Sequence, residues 1–237
     1  MPQTLSSNKM ALHLRDDPTC VAALFIPPDP VSLVDQAEQV LIVRTPTAAS
    51  DPMILTAEAC HWRDERLHLE FVDARCRAIM EIAIDGASLC FSLRVRAEKP
   101  IWMVEWRLSG LLCDEMILPA LGGQAVTSEM PDGVELSFKY PFWLNAQFAI
   151  GMRGTTGFLL GSRDTSPDLK IVRIGKENGR FTITFGFEAP APLNSKTLEC
   201  TWYLTGFHGT WQQGVAIHKA WMEKAFDLGR LDRQSLQ

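Results

Sequence analysis

Hydrophobic and polar residues alternate along most of the middle of this 237-residue chain. Between residues 87 and 96, Ala, Leu, Phe, Leu and Val occupy the odd positions, and Ser, Cys and Arg occupy the even ones. A period of two is typical of a strand that is buried on one side, whereas an amphipathic helix repeats every 3.6 residues. The same alternation recurs in five further segments, so we predict at least six strands: 67–71, 102–108, 134–140, 181–187 and 198–204 in addition to the first.

Asp-Gly and Asn-Gly pairs punctuate these segments. Such pairs adopt the positive φ angles that tight hairpin turns require. The pairs Asp85-Gly86, Asp132-Gly133 and Asn178-Gly179 therefore predict three antiparallel hairpins. Because parallel sheets need intervening helices, this pattern favours an all-β fold, a large antiparallel β-sandwich or barrel, over an α/β fold.

One helix is indicated, close to the C-terminus. Thr210 and Gln213 have the spacing of a capping box, and apolar residues then repeat every three to four positions up to Ala225. Lys224 near the end and Gly229 as a stop complete the pattern. We therefore expect a polar, frayed N-terminus over 1–19, a β-sandwich over 20–208, a C-terminal helix over 209–229 and a tail over 230–237.

Composition excludes several classes of protein. The net charge of −5 and the lack of a basic run argue against nucleic-acid binding. No segment has the apolar length of a signal peptide or a membrane span, so we expect a cytoplasmic protein without membrane contact. The six cysteines are scattered, without the Cys or His spacing of a zinc site, which favours reduced thiols. The sequence predicts no metal and no other cofactor.

Three segments carry a resemblance to a known family. They are YPFWLNAQF at 140–148, GFLLGSRD at 157–164 and GTWQQGVAIHKAW at 209–221. Together with the segments 96–108 and 118–123, they resemble the galactose-mutarotase-like β-supersandwich that precedes the TIM barrel in several glycoside hydrolase families. These families include the endo-α-N-acetylgalactosaminidase-like and the α-glucosidase/α-galactosidase-like groups. The resemblance spans roughly residues 40–226 and implies a supersandwich with one C-terminal α-helix.

In these enzymes, the resemblance implies that the catalytic carboxylates lie on the TIM barrel, which typically takes about 250 residues of alternating strand and helix. No such stretch follows here. We therefore expect an N-terminal accessory domain of a glycoside hydrolase-like protein, non-catalytic on its own. Its expected partners are a carbohydrate and, against the C-terminal helix, either a catalytic barrel or a second copy of the chain.

Candidate sugar contacts lie in the first two of these motif segments: Trp143, Asn145, Gln147, Arg163 and Asp164. An indole can stack on the C–H face of a sugar, while amide and charged groups can bond its hydroxyls. A structural role is the stronger interpretation for most of them. Arg163 and Asp164 could pair or cap a turn, and Gln147 could satisfy buried backbone groups.

One alternative is an aldose 1-epimerase-like enzyme, because the same fold houses such enzymes. The resemblance then implies a histidine acid and a glutamate base. A histidine with a pKa near neutrality suits the task. Since no spacing singles out one pair, the candidates stay open: His61, His68 or His208 as the acid, and Glu70, Glu105 or Glu188 as the base.

The other alternative is a stand-alone carbohydrate-binding module, for which seven tryptophans are a generous supply. Trp102 and Trp106 share the apolar side of one predicted strand, however, so we expect both in the core. Aromatic side chains lined up on an exposed face would favour the module. An apolar patch around the terminal helix would instead favour contact with a barrel or dimerisation.

Overall fold

The computed structural model describes residues 3–14, 20–29, 32–35, 37–47 and 51–227. Within these residues the chain forms two antiparallel sheets of nine strands each and one α-helix, which confirms the predicted all-β sandwich. The first sheet has the order β1-β2-β3-β4-β10-β17-β16-β13, with β5 beside β4. Its strands are β1 (Gln3–Ser6), β2 (Ala11–Leu14), β3 (Cys20–Phe25), β4 (Ala37–Arg44), β5 (Met53–Leu55), β10 (Met103–Leu111), β13 (Glu135–Tyr140), β16 (Lys170–Glu177) and β17 (Arg180–Glu188).

The second sheet has the order β12-β11-β14-β15-β18-β9-β8-β7-β6. Its strands are β6 (Ala57–Arg63), β7 (Arg66–Asp73), β8 (Cys76–Asp85), β9 (Ser88–Ala97), β11 (Glu115–Leu118), β12 (Gln124–Thr127), β14 (Phe148–Arg153), β15 (Thr156–Gly161) and β18 (Thr197–His208).

Aromatic side chains from both sheets meet in the core between them. The Trp106 ring of β10 lies 4.7 Å from the Phe91 ring of β9 and 5.7 Å from the Trp202 ring of β18, measured between centroids. The Trp202 indole N–H donates to the Phe185 carbonyl of the opposite sheet at 3.2 Å. Full burial of one large apolar side chain contributes roughly 2–3 kcal/mol, so these rings are a principal contact between the two layers.

Two of the three predicted hairpins are confirmed. The Asp85-Gly86 pair joins β8 to β9, and Asn178-Gly179 joins β16 to β17 with a positive φ at both Asn178 and Gly179. The hairpin predicted at Asp132-Gly133 is wrong, because β12 pairs with β11 in the second sheet while β13 pairs with β16 in the first. That turn carries the chain from one sheet to the other. Turn residues show where the chain bends, and they do not show which strand it then pairs with.

The N-terminal stretch that we expected to be frayed contains strands β1 and β2. They pair with each other, and β2 pairs with β3, so the first sheet extends to Gln3. Leu5, Met10, Leu12 and Leu14 are each at most 3% exposed. These four apolar residues supply enough burial to hold an otherwise polar stretch in the sheet. Residues 15–19 of the same stretch lie outside the described residues.

The predicted helix forms as α1 (Trp211–Ala225). At its start, the Thr210 backbone N–H donates to Gln213 Oε1 at 2.9 Å, as the capping box requires. The helix packs on the outer face of the second sheet through Val215 and Ile217, which contact a cluster on β14, β15 and β18: Phe148, Ile150, Met152, Leu159 and Phe207. The predicted stop at Gly229 and the tail over 230–237 lie outside the described residues.

In the part of the chain that the structure describes, no helix is long and apolar enough to cross a membrane. The cytoplasmic location stays a prediction. Cys76, Cys90, Cys113 and Cys200 carry no disulfide. Burial raises the pKa of the Cys76 thiol to about 11, so this thiol stays protonated at neutral pH.

Candidate functional site

The face of the first sheet that turns away from the core carries charged side chains at its centre. Because side chains alternate along β10, Val104 and Trp106 enter the core while Glu105 and Arg107 lie on the outer face. Glu105 is paired across the sheet with Ile42 of β4 on one side and with Gly186 of β17 on the other. The centre of this outer face is therefore built around a carboxylate.

Two arginines hold the Glu105 carboxylate, which is fully buried. Arg44 Nε donates to Glu105 Oε2 at 2.8 Å, and Arg173 Nη1 donates to Glu105 Oε1. Removing a charge from water costs several kcal/mol unless it is paired and hydrogen-bonded, and these bonds meet that requirement. Gly186 leaves room for the Glu105 side chain, because a Cβ at position 186 would lie 2.8 Å from Glu105 Cγ. The result is a fixed arrangement of two guanidinium groups on the outer face.

Trp102 lies at the edge of the same surface, where its indole N–H donates to Glu188 Oε1 at 2.6 Å. The expectation that Trp102 is a core residue is wrong, because its side chain is partly exposed and lines an outer cavity. Strand β10 begins only at Met103. The alternation that directs Trp106 into the core therefore does not extend to Trp102, which precedes the strand. The expectation for Trp106, which is 2% exposed, is confirmed.

Arg44, Arg173 and Trp102 line a cavity of about 530 Å³, which we call the polar cleft. Two further ion pairs border it, Arg107 Nη2 to Glu177 Oε1 at 3.1 Å and Arg173 Nε to Glu135 Oε1 at 3.7 Å. An indole beside several donors and acceptors is a combination that suits a polyhydroxylated ligand. The cleft is lined by Ile42, Arg44, Trp102, Arg107, Glu135, Arg173 and Thr184.

Trp143 and Asn145, both predicted from the sequence as sugar contacts, lie on the loop between β13 and β14. Trp143 is 55% exposed. The Asn145 backbone N–H donates to the Pro119 carbonyl at 2.7 Å, and Asn145 lines a different groove, beside α1. Neither residue lines the polar cleft.

Gln147 and Arg163 make contacts within the second sheet and its loops. Gln147 is buried, and its Nε2 donates to the Asp164 carbonyl at 3.1 Å. The Arg163 guanidinium lies 4.1 Å from the centre of the Tyr203 ring and donates to Ser88 Oγ at 3.0 Å. Gln147 thus bonds a backbone group, as the sequence analysis considered, whereas the partners of Arg163 are Tyr203 and Ser88 and not Asp164.

Asp164 holds a buried lysine. Its Oδ2 lies 2.6 Å from Nζ of Lys170, which is fully buried, and the same oxygen accepts a bond from Ser166 Oγ at 2.6 Å. Burial raises the pKa of Asp164, but the hydrogen bonds from Lys170 and Ser166 outweigh it and the net pKa is lowered. The structure brings Gln147, Arg163 and Asp164 together and leaves Trp143 and Asn145 apart. Sugar contact by any of the five stays a prediction.

Two of the histidines considered as epimerase acids lie on the β6–β7 hairpin. His61 Nε2 is 3.8 Å from Glu70 Oε1, and both side chains are about half exposed. The His68 ring stacks on the His61 ring at 5.5 Å, and its Nδ1 is 4.0 Å from Glu81 Oε1. The hairpin forms one edge of the second sheet, where β6 is the last strand.

The third histidine, His208, ends β18, where its Nε2 donates to the Pro27 carbonyl at 2.8 Å. Glu105 and Glu188, two of the candidate bases, lie instead on the first sheet with the polar cleft. No histidine among the described residues lines that cleft. In the same described part of the chain, no three His, Cys, Asp or Glu side chains form a metal-binding group.

The arginines of the polar cleft were not singled out from the sequence. Their signal is the alternation itself, since Arg107 and Arg173 each stand between two core residues of one strand. A charged residue at such a position is ordinarily only a solvated outer-face residue. Arg107 and Arg173 come together in one cleft because β4, β10, β17 and β16 are neighbours in the first sheet. The sequence pattern does not predict that strand order.

Comparison with known proteins gives the fold. No protein-family model and no curated protein matches the chain. Among solved structures, an α-galactosidase of family GH36 from Geobacillus stearothermophilus has a TM-score of 0.55 at 9% identity, covering 88% of this chain and 41% of that one. A putative aldose 1-epimerase from Escherichia coli K12 has a TM-score of 0.54 at 11% identity, covering 88% and 99%.

A galactose mutarotase-like protein from Lactobacillus casei has a TM-score of 0.57 at 8% identity, covering 87% of this chain and 100% of that protein. The chain thus spans about two-fifths of the galactosidase and the whole length of the two smaller proteins. At these identities the likeness concerns the fold alone. The two nine-stranded layers and the C-terminal helix have the fold of these galactose mutarotase-like structures, the β-supersandwich that the sequence resemblance predicted.

Proposed function

We propose that this chain is a carbohydrate-binding accessory domain of a glycoside hydrolase-like protein, which binds a saccharide in the polar cleft and does not hydrolyse glycosides alone. The observation that carries the proposal is the set of side chains in the cleft. Trp102 supplies an indole, Arg44, Arg107 and Arg173 supply donors, and Glu135 supplies an acceptor, all around one cavity of about 530 Å³.

A sugar ring has an apolar C–H face and an edge of hydroxyl groups that both donate and accept hydrogen bonds. An indole suits the face, and guanidinium and carboxylate groups suit the hydroxyls. Two of the cleft arginines are already held by the buried Glu105, so their positions need not be ordered when a ligand binds. Groups held in place in this way cost less entropy on binding.

Two observations support an accessory role over catalysis. The same fold forms 41% of the length of a GH36 α-galactosidase, so it occurs within larger glycosidases. Two candidate bases lie on the same sheet without lining the cleft: Glu105 is engaged by two guanidinium groups and Glu188 by the Trp102 indole. Carboxylates engaged in this way suit the positioning of the cleft side chains Arg44, Arg173 and Trp102 better than proton transfer to a substrate.

Titration calorimetry with a panel of mono- and oligosaccharides tests the proposal. We expect at least one sugar to bind, and we expect Trp102→Ala or Arg107→Ala to weaken it by about tenfold or more, the equivalent of 1.4 kcal/mol. Trp143→Ala is the matched control, because Trp143 is an exposed tryptophan outside the cleft. It should leave the affinity unchanged.

If Trp143→Ala loses binding and Trp102→Ala does not, the sugar site lies on the loop between β13 and β14, as the sequence predicted, and not in the polar cleft. An absence of binding to every sugar, with the folded state verified by circular dichroism, would refute carbohydrate recognition by the domain.

An aldose 1-epimerase-like activity is the second candidate, favoured by one observation. The fold of this chain covers 99% of the length of a putative aldose 1-epimerase, so it also occurs as an independent protein. Saturation-transfer NMR on glucose and galactose measures anomer interconversion directly. We expect no acceleration over the uncatalysed rate. Acceleration that Glu188→Gln abolishes would replace the accessory proposal with an enzymatic one.

A further inference from the structure

A smaller cavity lies at one end of the second sheet, where the turn between β7 and β8 meets the end of β9 and the segment before β18. Its volume is about 340 Å³, and we call it the basic pocket. It shares no lining residue with the polar cleft. Four cations and two carboxylates line it: Arg75, Arg77, Arg96 and Lys196, with Asp73 and Glu98.

Two of these arginines lie directly opposite each other in neighbouring strands. Arg77 of β8 is the pairing partner of Arg96 of β9, and both side chains are exposed on the outer face of the sheet. On its other side, Arg96 pairs with Thr197 of β18, the residue after Lys196. The Cβ atoms of directly opposite residues are only about 4.5–5.5 Å apart, and like charges at such positions destabilise a sheet.

The protein supplies these cations with no counter-charge of their own. Two residues earlier on β9, Arg94 Nε lies 2.6 Å from Glu199 Oε1 of the neighbouring strand. In the part of the chain that the structure describes, Arg77, Arg96 and Lys196 make no such ion pair. Their mutual repulsion therefore costs stability in the free protein, and an anion in the pocket would remove that cost.

The charge of the pocket matches a dianion. Asp73 neutralises Arg75, because its Oδ1 lies 3.4 Å from Arg75 Nε and also accepts the Arg75 backbone N–H at 2.9 Å. Three cations then face Glu98 alone, which leaves an excess of two positive charges. The chain as a whole carries a net charge of −5, so this excess is a local feature.

Backbone hydrogen bonds hold the segments of the pocket together. The Glu98 N–H donates to the Arg75 carbonyl at 2.9 Å, and the Ala97 N–H donates to the Lys196 carbonyl at 2.9 Å. The ladder between β8 and β9 fixes the remaining segment. The cations therefore project from fixed backbone positions, which lowers the entropy cost of gathering them around a ligand.

We propose that the basic pocket binds the phosphomonoester group of a small soluble molecule, with Arg77, Arg96 and Lys196 as the hydrogen-bond donors. A phosphomonoester carries about −1.5 to −2 charges at pH 7 and three acceptor oxygens, which matches the excess of two positive charges. Guanidinium groups bond phosphate oxygens in a bidentate manner, and a lysine adds a point charge.

Other anions fit the pocket less well. A carboxylate brings a single charge and two oxygens, so it would leave part of the repulsion in place. A nucleic acid needs cations along a continuous track of phosphates. The basic surface does not continue along β9, because Arg94 is already paired with Glu199.

Methyl phosphate and methyl sulfate test the match of charge. Both present three terminal oxygens on a methyl ester, but methyl sulfate carries only one negative charge. Each is titrated into the unaltered chain at constant ionic strength, and the backbone amide NMR signals of Arg77, Arg96 and Glu98 report binding. Thr127 is the control signal, since it lies on β12 at the far edge of the same sheet.

We expect methyl phosphate to shift the pocket signals, to leave Thr127 unmoved and to bind about fivefold more tightly than methyl sulfate, because of the additional charge. Equal affinity for the two esters would overturn the proposal, since the pocket would then lack the charge of a phosphomonoester site. Pocket signals that respond to neither ester would overturn it as well.

Arg77→Glu separates binding from folding. It places a carboxylate opposite Arg96, so the melting temperature without ligand should rise by about 1–2 °C while methyl phosphate binds at least about tenfold more weakly. Arg94→Gln is the matched control, because Arg94 is an exposed arginine of the same strand outside the pocket. It should leave the affinity unchanged. Undiminished binding in Arg77→Glu would refute the assignment of this arginine.

A lipid headgroup can present the same chemical group. Sedimentation with vesicles that contain phosphatidic acid tests this source. Co-sedimentation without any response to methyl phosphate would contradict a soluble ligand and place the surface against a membrane. None of these results bears on saccharide binding in the polar cleft, which lies on the other sheet.

Discussion

The stability of this protein should fall steeply as the pH drops from 7 to 5, and His218 should be the main cause. Burial between Phe148 and Trp221 lowers the pKa of His218 from 6.5 to about 4, and the positive charge of Arg163 adds to the effect. Because the folded-state pKa lies below the unfolded one, the unfolded chain binds more protons in this window. Stability is therefore lost as the pH falls.

The size of the effect follows from the two pKa values. One pKa unit corresponds to 1.36 kcal/mol, so lowering the pH to 5, about 1.5 units below the unfolded pKa, removes about 2 kcal/mol. Below pH 4, where the folded protein is protonated too, the loss levels off at about 3 kcal/mol. A domain of ordinary stability has about 5–15 kcal/mol in total, so a change of 2 kcal/mol is readily measured.

Urea unfolding at pH 7, 6 and 5, followed by tryptophan fluorescence, gives the free energy of unfolding at each pH. The comparison is with His218→Phe, which keeps an aromatic ring between Phe148 and Trp221 but does not titrate, and with His218→Gln, which is polar and does not titrate. Both variants should lose about 2 kcal/mol less than the unaltered protein between pH 7 and 5. Parallel pH profiles for all three proteins would refute the account, since they would assign the acid sensitivity to other groups.

Three further substitutions test the packing and the buried charges. Glu105→Gln removes the carboxylate that pairs two arginines, and it should cost about 3 kcal/mol in urea unfolding; a loss below about 1 kcal/mol would show that the pair is dispensable. Gly214→Ala would bring a Cβ within 2.7 Å of Ile150 Cδ1, so the melting temperature should fall by several degrees from a cost of about 2 kcal/mol. A rise, which helix propensity alone predicts, would contradict the close packing of α1. Lys170→Met removes the cation beside Asp164, so the pKa of that carboxyl, measured by ¹³C NMR, should rise above its present lowered value; an unchanged pKa would exclude Lys170 as its main cause.

Local sequence patterns predicted the strands and the helix well, because the hydrophobic period of each element depends only on its own residues. The alternation at 87–96 became β9, and the repeat after Thr210 became α1, with the capping contact to Gln213 in place. A strand that is buried on one side must alternate, and a helix that packs on one side must repeat every three to four residues, whatever surrounds them.

Strand pairing and side-chain burial were harder to predict from the sequence, as Asp132, Gly133 and Trp102 show. Asp132-Gly133 was predicted to close a hairpin and instead links the two sheets. Trp102 was expected in the core and faces the polar cleft, because the strand begins one residue later. The first error concerns which strand the chain pairs with after a turn, and the second concerns where a strand begins. A short-range hydrophobic pattern determines neither.

The sequence by itself determined the class of this protein: alternating strands, glycine-bearing turns, one terminal helix and, through short motifs, the supersandwich. Only the tertiary structure decided where chemistry can take place. Glu105 receives its two arginines from positions 61 residues before it and 68 residues after it, because β4, β10, β17 and β16 happen to be neighbours. His218 is short of a partner only because the second sheet and α1 close around it. Hydrogen bonds and burial depend on distances in space, and distances between residues so far apart in the chain are set by the whole fold.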